Sequence, residues 1–160
     1  MKRLFKKYII LYNLRSVENT ASIFRTADAL GVDAIYLIGT TPTPLDRFNR
    51  PRNDFAKVSL GAEKSVRWEK KASLPAFIKE LKKKKVEIVS VEQDKSSIDY
   101  KKFKPAGTTA LIFGNEVDGI PKSILKKSDR VVEMQMRGKK ESLNVAVSFG
   151  VVGFRLFDKN

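Results

Sequence analysis

The fold of this chain is decided by residues 108–149, TTALIFGNEVDGIPKSILKKSDRVVEMQMRGKKESLNVAVSF. Two apolar runs in this segment, Thr108–Phe113 and Arg130–Met134, predict buried strands. Glycine and small polar residues follow each run, and Ser142 then precedes a long apolar segment, Leu143–Phe157. Strand-to-helix turns expose backbone N–H groups and apolar walls exclude water, so these junctions predict the walls of one small-molecule pocket.

Hydrophobic periodicity predicts alternating strands and helices along the rest of the chain. The predicted strands are Tyr8–Tyr12, Ala34–Ile38, Val86–Val91, Thr108–Phe113 and Arg130–Met134. The predicted helices are Glu18–Leu30, Ser73–Lys85, Pro121–Lys127 and Leu143–Phe157. We expect Ser142 to cap the last helix, whose two faces should both be buried because it is apolar nearly all round. The alternation predicts an α/β fold, a single domain over residues 1–160 with a parallel-type sheet and helices on both faces.

The charge of the chain favours a nucleic acid as its partner. Lys and Arg number 32 against 18 Asp and Glu, which gives a formal net charge of +14. Basic side chains release counterions from a phosphate backbone, so this charge favours polyanions. The chain contains 0 Cys and 0 His. Cysteine nucleophiles, Ser-His pairs and zinc sites built from Cys and His are therefore excluded.

The hydrophobic segments of the sequence are short. None approaches the roughly 20 apolar residues of a membrane helix. Near the N-terminus, the apolar patch Tyr8–Tyr12 follows basic residues but is too short for the core of a signal peptide. We therefore expect a cytoplasmic protein.

A cationic loop follows the second predicted strand. Its sequence, TTPTPLDRFNRPRNDFAKVS at residues 40–59, contains three prolines, which argue against a regular element. Arg47, Arg50 and Arg52 alternate with Phe48 and other residues, which is typical of loops that bind RNA phosphates and unstacked bases. A solvated surface loop is the alternative. The lysines at 82–85 are better explained as a solvated helix end, although they are also candidates for RNA contact.

Three segments of the chain carry a family resemblance. They are NLRSVENTASIFRTADALGV at Asn13–Val32, FGNEVDGI at Phe113–Ile120 and MQMRGKKESLNVAVS at Met134–Ser148. In this order they resemble motifs one to three of the SpoU/TrmH family, RNA ribose 2′-O-methyltransferases of the SPOUT superfamily. The resemblance implies S-adenosylmethionine as methyl donor, no metal, a deep C-terminal trefoil knot that holds the donor, and a homodimer.

The same resemblance implies site residues. Catalytic or orienting roles fall to Asn19, Arg25, Glu116, Ser142 and Asn144. Donor binding falls to Phe113, Gly114, Asn115, Met134, Met136 and Leu143. Three of these residues also suit purely structural roles: Asn19 could cap its helix, Arg25 could form a surface ion pair with Glu18 or Asp28, and Glu116 could be a solvated turn acid.

The resemblance predicts methyl transfer to a ribose 2′-hydroxyl of RNA. Transfer RNA is the preferred substrate and ribosomal RNA the alternative. The segment RTADALGV at residues 25–32 resembles tRNA guanosine and 23S guanosine members of the family more than wobble-position members, and it does not separate the first two. One departure is Gln135, which stands where many members have proline. A non-catalytic RNA-binding protein is the rival hypothesis. A phosphate-loop nucleotide-binding protein is disfavoured because neither glycine-rich phosphate motif is present.

Overall fold

The computed structural model of the protein describes residues 5–158, which form a seven-stranded sheet flanked by helices. All neighbouring strands pair in parallel, in the order β3-β2-β1-β6-β4-β7-β5. The strands are β1 Lys7–Tyr12, β2 Ala34–Ile38, β3 Trp68–Lys71, β4 Glu87–Val91, β5 Ile98–Asp99, β6 Thr109–Phe113 and β7 Arg130–Glu133. The predicted α/β class and parallel sheet are confirmed.

Helices cover both faces of the sheet. They are α1 Val17–Leu30, α2 Asn53–Ser59, α3 Ala62–Ser65, α4 Leu74–Lys83, α5 Lys122–Leu125 and α6 Val145–Phe157, with a 3₁₀ turn at Tyr100–Lys102. Alternate residues of β1 point to opposite faces, so Ile9 packs in the core beneath α1 and α6, whereas Ile10 packs in the core beneath α4 and α5.

The sequence prediction was wrong about residues 40–71. No regular element was expected in the proline-rich loop, yet α2 begins at Asn53 and packs Phe55 against Phe24 of α1, with ring centroids 5.1 Å apart. Strand β3, with the polar sequence WEKK, was missed, as was the two-residue strand β5. Both lie at the edges of the sheet, where a strand needs little apolar sequence.

The start of the last helix also differs from the prediction. Helix α6 begins at Val145, and its cap is Asn144 rather than Ser142. The Asn144 side-chain oxygen accepts hydrogen bonds from the backbone N–H groups of Ala146 at 2.8 Å and Val147 at 3.3 Å. One face of α6 is buried, but an outward stripe of Val147, Val151 and Phe154 is 40–51% exposed in the single chain.

Parallel pairing brings the three motif segments to one place. The segments follow β1, β6 and β7, and the carboxyl ends of parallel strands lie at the same edge of a sheet. The lysines at 82–85 precede β4 and therefore lie at the opposite, amino edge. Within residues 5–158, every helix is too short or too polar to cross a membrane.

Candidate active site

The turn after β6 is held by the side chain of Asn115. Its oxygen accepts hydrogen bonds from the backbone N–H groups of Val117 at 2.8 Å and Asp118 at 2.7 Å, while the Gly119 N–H donates to the Asn115 carbonyl at 3.0 Å. Gly119 adopts a φ of 64°, which favours glycine. Beneath this turn lies Gly114, and a Cβ there would meet the Gly119 carbonyl carbon at 2.5 Å. This motif-two turn, residues 114–119, is therefore closed both by the Asn115 side chain and by its own backbone, and Glu116 lies near its tip.

The side chain of Asn19 takes no part in capping α1. Ser16 caps the helix, and its hydroxyl accepts the Asn19 backbone N–H at 3.0 Å. The suggestion that Asn19 itself is the cap is therefore wrong. The loop before Ser16 is anchored to the segment after β2, because the Leu14 N–H donates to the Thr41 hydroxyl at 3.1 Å.

Three predicted site residues form a continuous polar chain. The Asn144 amide donates to the Asn19 side-chain oxygen at 2.9 Å, and the Asn19 amide donates to Glu116 Oε1 at 2.9 Å. These contacts join residues 125 and 97 positions apart in the sequence. The side-chain oxygen and the amide nitrogen of each asparagine both have a hydrogen-bond partner, so both side chains have a fixed orientation. The Glu116 carboxylate is therefore positioned by residues at the N-termini of α1 and α6. Glu116 is exposed in its turn, as the alternative of a solvated turn acid expected, and it accepts this hydrogen bond from Asn19 in addition.

A cavity of about 570 Å³ lies beside this polar chain, between the carboxyl ends of β4, β6 and β7. Its volume falls within the range of small-molecule sites. All six predicted donor-binding residues line it: Phe113, Gly114, Asn115, Met134, Met136 and Leu143. Glu116 and Ser142 line it as well. The structure thus places four of the five predicted catalytic residues in or beside one cavity.

The cavity is acidic in a strongly basic protein. Among the described residues, six carboxylates and one lysine, Lys122, line it. The carboxylates are Glu92, Asp94, Glu116, Asp118, Glu133 and Glu141. Glu92 also secures the motif-two turn, since its Oε2 accepts the Ile120 N–H at 3.0 Å. Sequence analysis missed Glu92 and Glu133, although their positions at the carboxyl ends of β4 and β7 were a usable signal. A cavity of this charge favours a cationic ligand over a phosphate.

Arg25 is the predicted catalytic residue that the structure does not bring to the cavity. It lies on the exposed side of α1, six residues beyond Asn19, which corresponds to about 9 Å along the helix axis. In the described part of the chain it makes no ion pair, and Asp28 instead accepts a hydrogen bond from the Ser65 hydroxyl at 2.6 Å. The alternative for Arg25, a surface ion pair with Glu18 or Asp28, is therefore not formed.

The three arginines of the cationic loop have different surroundings. Arg52 donates two hydrogen bonds to Asp54, at 3.0 and 2.8 Å, and this pairing raises the pKa of Arg52 and lowers that of Asp54. Arg50 donates through Nε to Asp46 at 3.0 Å. Arg47 has no ion pair with any residue between 5 and 158. Arg47 is thus the most available of the three for a phosphate.

Comparison with known proteins places this geometry in a family. The model of the SpoU rRNA Methylase family matches residues 6–154. The 23S rRNA (guanosine(2553)-2′-O)-methyltransferase RlmP of Bacillus subtilis is 30% identical over 94% of this chain. That match spans 58% of the relative's own length.

Two solved structures share the fold. An AdoMet-bound rRNA methyltransferase from Sinorhizobium meliloti superposes with a TM-score of 0.86 at 25% identity, over 96% of this chain and 56% of that one. The A. aeolicus TrmH/SpoU tRNA modifying enzyme gives a TM-score of 0.81 at 25% identity, over 95% of this chain and 76% of that one.

Proposed function

This chain belongs to the SpoU rRNA Methylase family, and from that premise we propose that it is an S-adenosylmethionine-dependent RNA ribose 2′-O-methyltransferase. The observation that carries the proposal is the acidic cavity beside the Asn144–Asn19–Glu116 chain. The proposed substrate is transfer RNA, with ribosomal RNA as the alternative. The net charge of +14 supports an RNA substrate of either kind.

The residues of the cavity fit the proposed donor. S-adenosylmethionine supplies an electrophilic methyl group on a positively charged sulfonium, and its amino group carries a second positive charge. Glu92, Glu116 and Glu133 provide negative charge around the cavity. Met134 and Leu143 provide apolar surface suited to an adenine ring. Gly114 lets the chain turn back closely on itself at the cavity wall.

The polar chain is suited to positioning the acceptor ribose. Asn144 is fixed as a helix cap and in turn fixes Asn19, whose amide orients Glu116. Carboxylate and amide groups that are already held by hydrogen bonds lose little conformational freedom when the ribose 2′-hydroxyl binds. Their fixed positions favour alignment of the ribose oxygen with the methyl carbon of the donor. We assign Asn19, Glu116, Ser142 and Asn144 to this orienting role. We also propose a role for Arg25 on the proton or the developing charge of the ribose oxygen, which rests on the family resemblance and not on its position in the single chain.

The direct test of the proposal is methyl transfer. The protein is incubated with radiolabelled S-adenosylmethionine and total RNA, and the labelled nucleotide is mapped by nuclease digestion and mass spectrometry. The expected product is a 2′-O-methylated nucleotide in transfer RNA. Label in ribosomal RNA selects the alternative substrate, and label on a base contradicts 2′-O chemistry. RNA binding without label favours the rival hypothesis of a non-catalytic RNA-binding protein.

A deep trefoil knot at the C-terminus also belongs to the proposal. After β7 the chain runs through residues 134–144 past the motif-two turn, and α6 then packs against α1 on the far side of β6. We propose that the C-terminal segment passes through a loop of the chain on this path, as the family resemblance implies. The cavity lies along the same path, as expected if the knotted segment holds the donor.

We further propose that the working form is a homodimer that uses α6. The stripe of Val147, Val151 and Phe154 is apolar and exposed, and Leu143 extends it toward the cavity. Contiguous exposed apolar surface on a helix is typical of an interaction site. Wild-type protein at micromolar concentration is expected to have twice the 18.1 kDa chain mass by light scattering.

Substitutions on the stripe test the dimer interface directly. Val151→Glu with Phe154→Glu should yield the monomer, because two charges would be buried without partners. Val117→Glu, at a 77% exposed site outside α6, is the matched control and should remain dimeric. A monomeric wild-type protein would contradict the proposal.

Salt dependence tests the cationic loop. Replacing Arg47, Arg50 and Arg52 together by alanine is expected to weaken RNA binding and to reduce the slope of log affinity against log salt by about one for each lost phosphate contact. The matched control replaces Lys82, Lys83 and Lys127, which lie at the amino edge of the sheet and carry the same total charge. Equal slope changes in both variants would mean that RNA binding depends on overall charge and not on this loop.

A further inference from the structure

The tip of the cationic loop is a closed turn that is organised before any ligand binds. The backbone N–H groups of Phe48 and Arg50 both donate to Asp46 Oδ1, at 2.8 and 3.0 Å, and the Asp46 N–H donates to the Arg50 carbonyl at 2.8 Å. The hydrogen bonds from the N–H groups of Arg50 and then Phe48 lower the pKa of the Asp46 carboxyl. Asn49 adopts a φ of 58°, as expected at the sharpest point of such a turn.

This turn displays an aromatic ring to solvent beside two cations. Phe48 is 60% exposed, and the guanidinium carbons of Arg47 and Arg50 lie 4.8 and 4.9 Å from its ring centroid. An isolated exposed apolar side chain is ordinary. An exposed ring held in a fixed turn, with two guanidinium groups close to it, has instead the composition of a stacking platform for nucleic-acid bases.

The turn is also anchored to the segment that carries the candidate active site. Its root follows β2 at the carboxyl edge of the sheet. There the single proton of the Thr41 hydroxyl is shared between the Leu11 and Ile38 carbonyls, and the hydroxyl oxygen accepts the Leu14 N–H. Leu14 lies two residues before Ser16, the cap of α1. An RNA base bound at the turn would therefore lie at the same edge as the Asn19–Glu116 contact.

We infer that Phe48, with Arg47 beside it, binds one unstacked base of the RNA substrate, so that the protein prefers single-stranded or looped RNA to a continuous duplex. The inference deepens the proposed function, on which it rests for the identity of the ligand as RNA. Phe48 supplies an apolar face for stacking. Arg47, which lacks an ion pair with the other described residues, supplies charge for the adjoining phosphate.

The test compares two RNA probes with equal numbers of nucleotides, a hairpin with an unpaired loop and a blunt duplex. Phe48→Leu should bind the hairpin about tenfold more weakly than wild type, since it removes base stacking, and should bind the duplex equally well. Phe48→Tyr should retain hairpin affinity because the ring is kept. Phe48→Leu should leave the salt slope unchanged, whereas Arg47→Ala should reduce it by about one.

The matched control is Phe5→Leu, the same substitution at another phenylalanine, which is 54% exposed and precedes β1 at the opposite edge of the sheet. It should bind both probes like wild type. The inference is overturned if Phe48→Leu binds the hairpin like wild type, or loses equal affinity for both probes. Hairpin binding that depends on Phe48, in a protein that transfers no methyl group to RNA, would contradict the proposed methyltransferase reaction and would still support base stacking on Phe48.

Discussion

Replacing Gly114 by valine is expected to weaken S-adenosylmethionine binding at least tenfold, about 1.4 kcal/mol. A Cβ at this position would lie 2.5 Å from the Gly119 carbonyl carbon and 2.6 Å from its oxygen, and 2.9 Å from Ile120 Cγ1. Backbone atoms cannot rotate away as a side-chain tip can, so the motif-two turn must open. Asn115 and Glu116 would move with it, and the cavity wall would be displaced.

The matched control for this experiment is Gly138→Val. Gly138 lies in the loop after β7, and a Cβ there meets nothing within 4 Å. Its affinity for the donor should equal that of wild type. Both variants are measured by titration calorimetry, after thermal unfolding has shown that they are folded. Unchanged donor affinity in a folded Gly114→Val protein would place the donor site elsewhere in the molecule.

The central strands could be predicted from the sequence because they are buried on both faces. β2 and β6 are buried at every position, so each is a continuous apolar run bounded by polar or glycine residues. Edge strands lack this signature. β3 is paired on one side, is partly exposed at every position and has the sequence WEKK, which without its partner β2 resembles a surface loop.

The candidate site was predictable in its members but not in its contacts. Family motifs named Asn19, Glu116 and Asn144, yet the hydrogen bonds that join them depend on the sheet order, which no local pattern specifies. Glu92 was missed because a glutamate after a strand resembles any solvated turn acid. Its contact with the Ile120 N–H bridges 28 positions, so only the folded chain reveals that it holds the motif-two turn.

The cap of α6 shows a different limit of sequence reasoning. Both Ser142 and Asn144 are residue types that favour the cap position, and they lie two positions apart. The sequence pattern identifies the cap only if the last residue of the preceding loop is known, and no local signal gives that residue. The structure resolves the choice through Asn144, whose side chain caps the helix with its oxygen and contacts Asn19 with its amide. Asn144 thus couples the start of α6 to the site.

Replacing Arg25 by alanine is expected to reduce methyl transfer by about 10²- to 10³-fold, the usual cost of losing a group that stabilises a developing oxyanion. Donor affinity should stay near that of wild type, because Arg25 does not line the cavity. Folding should also be preserved, since the side chain is exposed and has no ion pair in residues 5–158. Single-turnover assays at saturating donor separate the loss of chemistry from any loss of RNA binding.

Arg25→Lys distinguishes the two roles that remain for this residue. A ribose hydroxyl must lose its proton as the methyl group arrives, and this chain has 0 His to accept it. Guanidinium groups are poor bases, so we favour a charged Arg25 that stabilises the oxygen while phosphate or water takes the proton. On that view lysine, which lacks the planar fork, stays nearly inactive at every pH. Activity of Arg25→Lys that returns as pH rises would identify a base, and wild-type rates in Arg25→Ala would remove the residue from the mechanism.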